Sequence, residues 1–338
     1  MAIHWQSEQQ QRSPRNHSGA FAKQETVLSV IEDSSHSQRM ATIGGFGAIL
    51  LWSTTIAIVR SLSESIGPVS AAAAVYMVSG VVALGSLFHG GQRRRQILQL
   101  PTRYIVGCGA LFVGYVLVLF LAIGWARNRQ QVLEVGLLNY LWPVLTLNLS
   151  VVFLKKKANW LLFPSTLFTL VGIFLIVTQG VSVSYQSFLQ NLASNPAAYS
   201  LALAAAVCWA VYSNLTRKWA GGKKEGAVVL FLPITAMVLL LICGFFHEPR
   251  RWDFRSLLEV LFLGGATYVA YALWDHAMRK GDMVMVAVGS YLTPLFSTIV
   301  SCFYLAVVPG ITLWVGCGIL IIGSVLGWLS VSTGASHD

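Results

Sequence analysis

Charged residues fall in short clusters along this chain, and long stretches between the clusters carry none. Met40–Val59, Ser65–Gln92, Tyr104–Ala126 and Val135–Leu154 are four such stretches. Ala158–Thr216 is also free of charge, but Ser, Asn and Gln crowd Gln179–Pro196 and split it in two. Gly226–His247 follows, then Val260–Met278 with Asp275 inside it, then Met283–His337, which breaks at Val308-Pro309-Gly310. A membrane helix needs about 20 mostly apolar residues, because the hydrocarbon core is about 30 Å thick and each residue rises about 1.5 Å. The windows therefore predict an all-α membrane protein with ten transmembrane helices.

Composition supports that reading. Charged residues make up 11% of the chain, hydrophobic residues 55%, and mean hydropathy is +0.65. A soluble chain carries about a quarter charged residues, and one with so few could not cover its surface. The net charge of +10 is not gathered into a basic helix or basic-aromatic module, so nucleic acid is not expected as a partner. Cys108, Cys208, Cys243, Cys302 and Cys317 lie inside apolar runs without CxxC spacing and read as small buried hydrophobes. His89, His247 and His276 sit near span ends without ligand spacing, so no metal is expected. No phosphate-binding Gly-Lys-Ser/Thr loop occurs, so neither nucleotide nor other cofactor is expected.

Residues 1–39 differ from the rest. "HWQSEQQQRSPRNHSG" is polar and poor in aliphatics, which predicts a disordered tail. It lacks the apolar core and cleavage site of a secretory signal. Within it, "QETVLSVIED" has the spacing for one or two amphipathic turns.

Lys and Arg in short loops set orientation. Arg12, Arg15, Lys23, Arg39, Arg93–Arg95, Arg103, Lys155–Lys157, Arg217, Lys218, Lys223, Lys224, Arg279 and Lys280 fall on one side, 17 of the 23 basic residues. Arg60, Arg127, Arg129, Arg250, Arg251 and Arg255 fall on the other. Both termini are thus expected to be cytoplasmic, with membrane lipid around the spans.

Two segments repeat. "NYLWPVLT" (Asn139–Thr146) and "SYLTPLFS" (Ser290–Ser297) each follow a small apolar approach, Val135-Gly136-Leu137-Leu138 and Ala287-Val288-Gly289. Pro143 and Pro294 each delete a backbone hydrogen bond in a hydrophobic run and bend it, which makes them candidate hinges. They fall in spans four and nine. "LWSTTIAIVR" and "CWAVYSNLTR" echo one another too, with Trp52 and Trp209 each eight positions before an Arg. The offsets, 157 and 151 residues, keep one order. Trp, Pro and small residues also recur in helical membrane proteins without duplication; the shared order is what favours a repeat. Five is odd, so a second copy enters the membrane upside down, the inverted-repeat plan of secondary transporters, with the site near the midplane. The expected organisation is a cytoplasmic tail over 1–39, one five-helix repeat over 40–178 and an external polar loop over 179–196. A second repeat over 197–331 and a short cytoplasmic tail over 332–338 follow, with a central cavity between the repeats.

The stretches "LLWST", "EVGLLNYLWP", "WDHAM" and "AVGSYLTP", with the Tyr in "AAAAVYMVSG", carry a resemblance over residues 40–330. The chain resembles the drug/metabolite transporter superfamily of the EamA type, and within it the YddG-type branch. That resemblance implies export of aromatic amino acids. The long polar tail departs from the pattern. So does the place of the Glu common near the end of span four in broader EamA proteins, where Lys155–Lys157 stand instead. The expected function is secondary export of amino acids, Phe, Tyr and Trp preferred, across the inner membrane by alternating access. Another small metabolite or a cationic drug is the alternative cargo. A multipass enzyme is a more distant one, disfavoured by short basic loops without acid, His or Ser clusters. A receptor is disfavoured by a tail too short to signal.

Glu134 and Asp275 are the carboxylates in or at the margin of the spans, and ionisable groups at membrane depth are costly enough to be functional candidates for coupling. Each has a plainer reading. Glu134 in a first turn can cap a helix or pair with Arg127 and Arg129, and Asp275 can pair with Arg279 or Lys280 at the interface. Tyr268, Tyr271 and Asp275 share one helix face, as do Trp209, Tyr212, Ser213 and Thr216. Trp52, Tyr76 and Tyr115 would face them in the repeat plan. Headgroup belts explain Trp160, Trp219 and Trp252 beside basic loops. They suit Trp52, Trp209 and Tyr271 less well, and a lining that stacks a ring or holds an ammonium suits these better. Asn139 and Ser290, matched before the repeated Tyr-Leu, could bind the charges of a zwitterion or bond neighbouring helices.

Overall fold

The structure is a computed structural model that describes residues 15–88, 91–178, 185–245, 248, 251–304 and 310–332. Among these the chain is helical throughout, without strands. α1 (Arg15–Ile66) and α2 (Pro68–Phe88) are followed by a short basic helix, α3 (Gly91–Leu98). A π-helical turn, Tyr104–Cys108, leads into α4 (Gly109–Trp125). α5 (Arg129–Asn139) and α6 (Trp142–Phe153) are two halves of one apolar segment, and α7 (Leu162–Val177) and α8 (Tyr185–Ser194) follow. α9 (Pro196–Ala220), α10 (Val228–Cys243) and α11 (Phe254–Lys280) come next. α12 (Met283–Gly289), a 3-10 turn (Ser290–Leu292) and α13 (Thr293–Tyr304) form a second broken segment, and α14 (Ile311–Ser332) closes the series.

Six segments are long and apolar enough to cross a membrane, namely Pro68–Phe88, Tyr104–Trp125, Glu134–Phe153, Pro196–Ala220, Phe254–Lys280 and Ile311–Val331. Leu162–Ile176, Val228–Cys243 and Met283–Ser297 are shorter apolar helices. The apolar window Met40–Val59 forms the later part of α1.

The tail departs from expectation in one respect. Residues 1–14 lie outside the described residues, but from Arg15, just after Pro14, the backbone is helical and runs unbroken into the first window. Proline restricts the residue before it and suits a helix start, and no proline interrupts residues 15–66. The polar loop over 179–196 likewise carries α8, whose Phe188 and Leu192 pack on Ala198, Tyr199 and Ala202 of α9. The break at Val308-Pro309 and residues 333–338 lie outside the described residues.

Side-chain caps set several boundaries. Asn128, Asn195, Asp253 and Asp282 accept from the backbone N–H groups of Gln131, Ala198, Ser256 and Met285. Hydrogen bonds from the Ser256 side chain and backbone hold the Asp253 carboxyl below the ordinary carboxylate range.

The most extensive packing joins α7 to α14, α1 to α11, α2 to α10 and α4 to α9, then α2 to α11, with α1 against α13 and α6 against α9 behind them. Outward faces are apolar, as lipid requires; Phe163 and Leu167 of α7 and Trp314 and Val325 of α14 are exposed. Small residues bring the helices close where lipid supplies no driving force for association. At the α7–α14 contact a methyl added to Gly172 would lie 2.7 Å from the backbone nitrogen of Leu320. Gly172→Ala should therefore force the two helices apart and cost about 1–3 kcal/mol by overpacking. Gly318→Ala, on the same α14 with nothing within 4 Å of the added carbon, should not destabilise. Thermal unfolding of both variants in detergent checks the contrast.

Candidate functional site

The centre of the molecule is filled by aromatic rings from both halves of the chain. Trp52 of α1 lies edge-on or tilted to Trp274 at 5.2 Å, to Trp209 and Tyr271 at 5.5 Å, and to Trp142 at 6.1 Å between centroids. Trp142 of α6 stands edge-on to Trp274 at 5.3 Å. Trp209 of α9 meets Tyr115 at 4.9 Å and Tyr212 at 5.0 Å, and Phe112 of α4 meets Tyr271 at 4.8 Å. Edge-to-face and tilted contacts are what ring quadrupoles favour. Helical spacing explains the convergence. Trp209 and Tyr212 on α9, and Tyr271 and Trp274 on α11, are each three residues apart and share a face.

Polar atoms are sparse here. The Tyr76 and Tyr271 hydroxyls lie 2.8 Å apart, and Trp274 Nε1 donates to Ser213 Oγ at 3.2 Å. Trp209 Nε1, a donor, and Asn139 Oδ1, an acceptor, are buried and without a hydrogen-bond partner among the described residues. The Asn139 side chain lies beside the Tyr115 hydroxyl, and Tyr115 is packed on Trp209, so both orphans belong to this cluster. Each buried unmade hydrogen bond costs about 1–3 kcal/mol, so both atoms gain from any polar group that reaches them.

The structure thus gathers Trp52, Tyr76, Tyr115, Asn139, Trp209, Tyr212 and Tyr271. Tyr268 packs against the same core a turn earlier on α11, where its hydroxyl takes a long contact of 3.5 Å from Arg93 Nη1. One expected member stands apart. Ser290 is buried, but its hydroxyl donates to Ala287 O at 2.6 Å, and its neighbour Tyr291 packs with Leu147 and Leu320 in a second core. Its short side chain finds its partner in its own turn. Trp142, Trp274 and Phe112 join without being singled out from sequence, although "NYLWP" and "WDHAM" contain the first two. The rings close on one another where an open cavity is expected.

Pro143 and Pro294 sit at matched breaks. α5 ends at Asn139 and α6 restarts at Trp142; α12 ends at Gly289 and α13 restarts at Thr293. Proline removes the donor to the carbonyl four residues back. At the second break that carbonyl is Ser290 O, and Thr293 Oγ1 donates to it at 2.7 Å.

The carboxylates lie at opposite ends of the cluster. Glu134 is buried in the second turn of α5 and accepts from Tyr199 Oη of α9 and, at 3.2 Å, from Asn191 Nδ2 of α8. Asp275 forms a buried ion pair, not an interfacial one. Its Oδ2 accepts from Arg279 Nε at 2.8 Å, with side-chain exposures of 4% for Arg279 and 2% for Asp275. Oδ1 accepts from Tyr104 Oη at 2.5 Å and, less closely, from Tyr212 Oη at 3.4 Å. Arg279 Nη1 donates to Lys223 O at 2.6 Å, and Tyr104 Oη accepts from Ala227 N at 3.1 Å. A methyl on Gly226 would fall 1.7 Å from Asp275 Oδ2, so only glycine lets the 223–227 loop lie on this pair. The i,i+4 spacing of Asp275 and Arg279 is legible in sequence; its burial comes from the Tyr104–Cys108 turn, α9 and the loop closing over it. Among the described residues no group of His, Cys, Asp or Glu forms a metal cluster.

An all-helical chain with six membrane-length apolar segments, exposed apolar flanks and an enclosed aromatic core with unsatisfied polar atoms has the make-up of a multipass membrane transporter. Residues 39–178 and 196–328 each match the EamA-like transporter family, and the chain belongs to that family. It is 34% identical over 301 residues to the aromatic amino acid exporter YddG of Escherichia coli K12, covering 88% of this chain and 100% of that one. It is 33% identical over 295 residues to the exporter of the same name from Salmonella typhimurium, covering 87% and 98%. A solved crystal structure is similar with a TM-score of 0.71 at 26% identity, over 88% of this chain and 99% of the other.

Removing one partner of a buried ion pair leaves an uncompensated charge and costs about 3–5 kcal/mol, whereas replacing both with apolar groups is often neutral. Asp275→Leu and Arg279→Met should each lower the thermal midpoint sharply, and the double variant should recover much of the loss. Losses that simply add would show the two groups to be independent.

Proposed function

We propose that this chain is a secondary transporter that exports amino acids, aromatic ones (Phe, Tyr, Trp) preferred, from the cytoplasm across the inner membrane by alternating access. It is read as ten spans in two inverted repeats with both termini cytoplasmic. The first five are the later part of α1, α2, α4 with its π turn, α5–α6 and α7; the second five are α9, α10, α11, α12–α13 and α14. The packing favours this plan. Span five pairs with ten and span two with seven, pairs that map onto themselves when the repeats are exchanged. Span one pairs with eight and nine, and span six pairs with three and four, the pattern expected of a twofold pseudo-axis. The proline breaks then fall in spans four and nine on opposite sides of the core, where hinges of alternate gates belong.

The observation that carries the cargo is the ring cluster with its two orphaned polar atoms. A substrate ring gains about 25 cal/mol per Å² of apolar area and about 0.5–1.5 kcal/mol for each aromatic contact. Asn139 Oδ1 can accept from an ammonium, and Trp209 Nε1 can donate to a carboxylate. These two atoms serve any amino acid, while the rings discriminate. The names of the similar exporters point to the same cargo. Because the rings pack against one another, a substrate must part them, which couples binding to a change of conformation.

Flux of labelled Phe, Trp, Thr and Ala in proteoliposomes tests the reading. Trp209→Ala and Trp52→Ala should reduce Phe and Trp export about tenfold more than Thr and Ala export, the equivalent of one or two lost ring contacts. Trp209→Phe keeps a ring but loses the N–H and should weaken all four substrates alike. Equal losses in the Ala variants would overturn the aromatic assignment.

A further inference from the structure

We propose that Lys156, Arg217 and Asp282 form a cytoplasmic access site that takes the charged backbone of an amino acid before it reaches the ring cluster. The inference rests on the amino-acid reading above and adds a second place on the path, outside the rings. A depression of about 120 Å³ is lined by Gln38, Lys156, Arg217 and Asp282, with Leu154, Met283 and Val284 supplying apolar wall. It shares Gln38 and Arg217 with a wider depression of about 450 Å³ that Arg279 and Lys280 also line.

Position links it to the cluster. α1, α9 and α11 carry Gln38, Arg217 and Lys280 at this end and Trp52, Trp209 and Trp274 further in, and Leu154 just past α6 stands below Trp142. Arg217 is eight residues, about 12 Å, along one helix from Trp209, and Lys280 is six residues, about 9 Å, from Trp274.

The charges are mixed in sign, which selects the ligand. Arg217 is fixed, because Nη1 donates to the carbonyls of Arg279 at 2.9 Å, Gly281 at 3.2 Å and Met278 at 3.4 Å. Lys156 is exposed and makes no hydrogen bond or ion pair among the described residues. It follows Lys155, which adopts a left-handed φ of 54° just past α6, a conformation unusual for a residue with a side chain. Asp282 caps α12 through Oδ1, which accepts from Met285 N at 3.1 Å, and Oδ2 accepts no bond among the described residues. Arg279 is already paired with Asp275, and Lys280 stands in the wider mouth. A simple anion would meet Asp282 as a like charge. A zwitterion meets both signs, its carboxylate on Lys156 and Arg217 and its ammonium on Asp282. The volume admits the backbone of an amino acid, leaving its side chain over Leu154, Met283 and Val284.

The test is transport by the full-length protein in vesicles of known orientation, with Lys156→Gln and Asp282→Asn; Asn still caps α12. Lys156→Gln should raise KM for Phe and for Thr alike by about 3- to 5-fold from the face that bears Lys156, the range of a partly exposed charge contact. Its kcat from that face and its KM from the opposite face should not change, and kcat from the opposite face should fall in proportion, because the transport equilibrium ties kcat/KM in the two directions. Asp282→Asn should do the same. Raising ionic strength should raise the wild-type KM, and that of Lys156→Gln by less. An unchanged KM in both variants, a rise from both faces, or a rise for Phe alone would overturn the access site. Absence of amino-acid flux in the wild type would instead overturn the function on which it rests.

Discussion

Lipid offers no hydrogen bonds, so a broken helix at membrane depth must be buried in protein. That constraint governs this fold, because two of its apolar segments are broken, at Tyr140–Leu141 and at Ser290–Leu292. The second break is sealed locally, with Thr293 Oγ1 on Ser290 O and Ser290 Oγ on Ala287 O. Near the first, Asn214 Nδ2 of α9 donates across to Thr146 O of α6 at 3.0 Å. Burying the breaks puts α6 against α9 and the α12–α13 segment against α1, the two contacts that bring Trp142, Trp209 and Trp52 together. The ring cluster follows from where the breaks have to go.

Both ends of that cluster are closed by a carboxylate and a tyrosine from different helices, Glu134 with Tyr199 and Asp275 with Tyr104. Glu134 also accepts from Asn191, and Asp275 also holds Arg279 in a buried ion pair. Parting a ring contact forfeits about 0.5–1.5 kcal/mol. Breaking a buried charge pair without replacement costs about 3–5 kcal/mol. Access from the basic end therefore requires something to stand in for the partners lost, or a motion that carries Asp275, Arg279 and Tyr104 together. The second is compatible with Gly226, which keeps the 223–227 loop seated on the pair.

Much of this was legible in sequence, for a simple reason. Charge is excluded from lipid, so the charge-free windows coincide with apolar helices, and proline in such windows marks the breaks. Trp209, Tyr212 and Tyr271 could be placed on inner faces because polar residues share those faces. Trp142 could not, since a Trp within an apolar run looks the same whether it meets lipid or protein; Trp274, three residues from Tyr271 and beside Asp275, lay within reach of the same reasoning. The burial of Arg279 was hidden as well. Its position beside Lys280 at a span end reads as interfacial, and only the 223–227 loop folding back encloses it. Ser290 matched Asn139 by repeat position, but a hydroxyl reaches its own helix where an amide does not.

That last contrast extends along the repeat. Aligned on Tyr140 and Tyr291, the two breaks read Tyr-Leu-Trp-Pro and Tyr-Leu-Thr-Pro. The position before proline is thus Trp142 in one segment and Thr293 in the other, each opening the helix after its break. Thr293 spends its side chain on the break, adding a bond to Ser290 O, which also accepts the Thr293 backbone N–H. Trp142 has no hydroxyl to do this and places its ring among Trp52, Trp209 and Trp274. One break is held by a local bond, and the other sends the residue at the same position into the ring cluster. Asn139 and Ser290 divide in the same way: an acceptor left open beside Tyr115, and a hydroxyl closed on Ala287. Of the two breaks, the first sends its side chains toward the ring cluster and the second keeps them local.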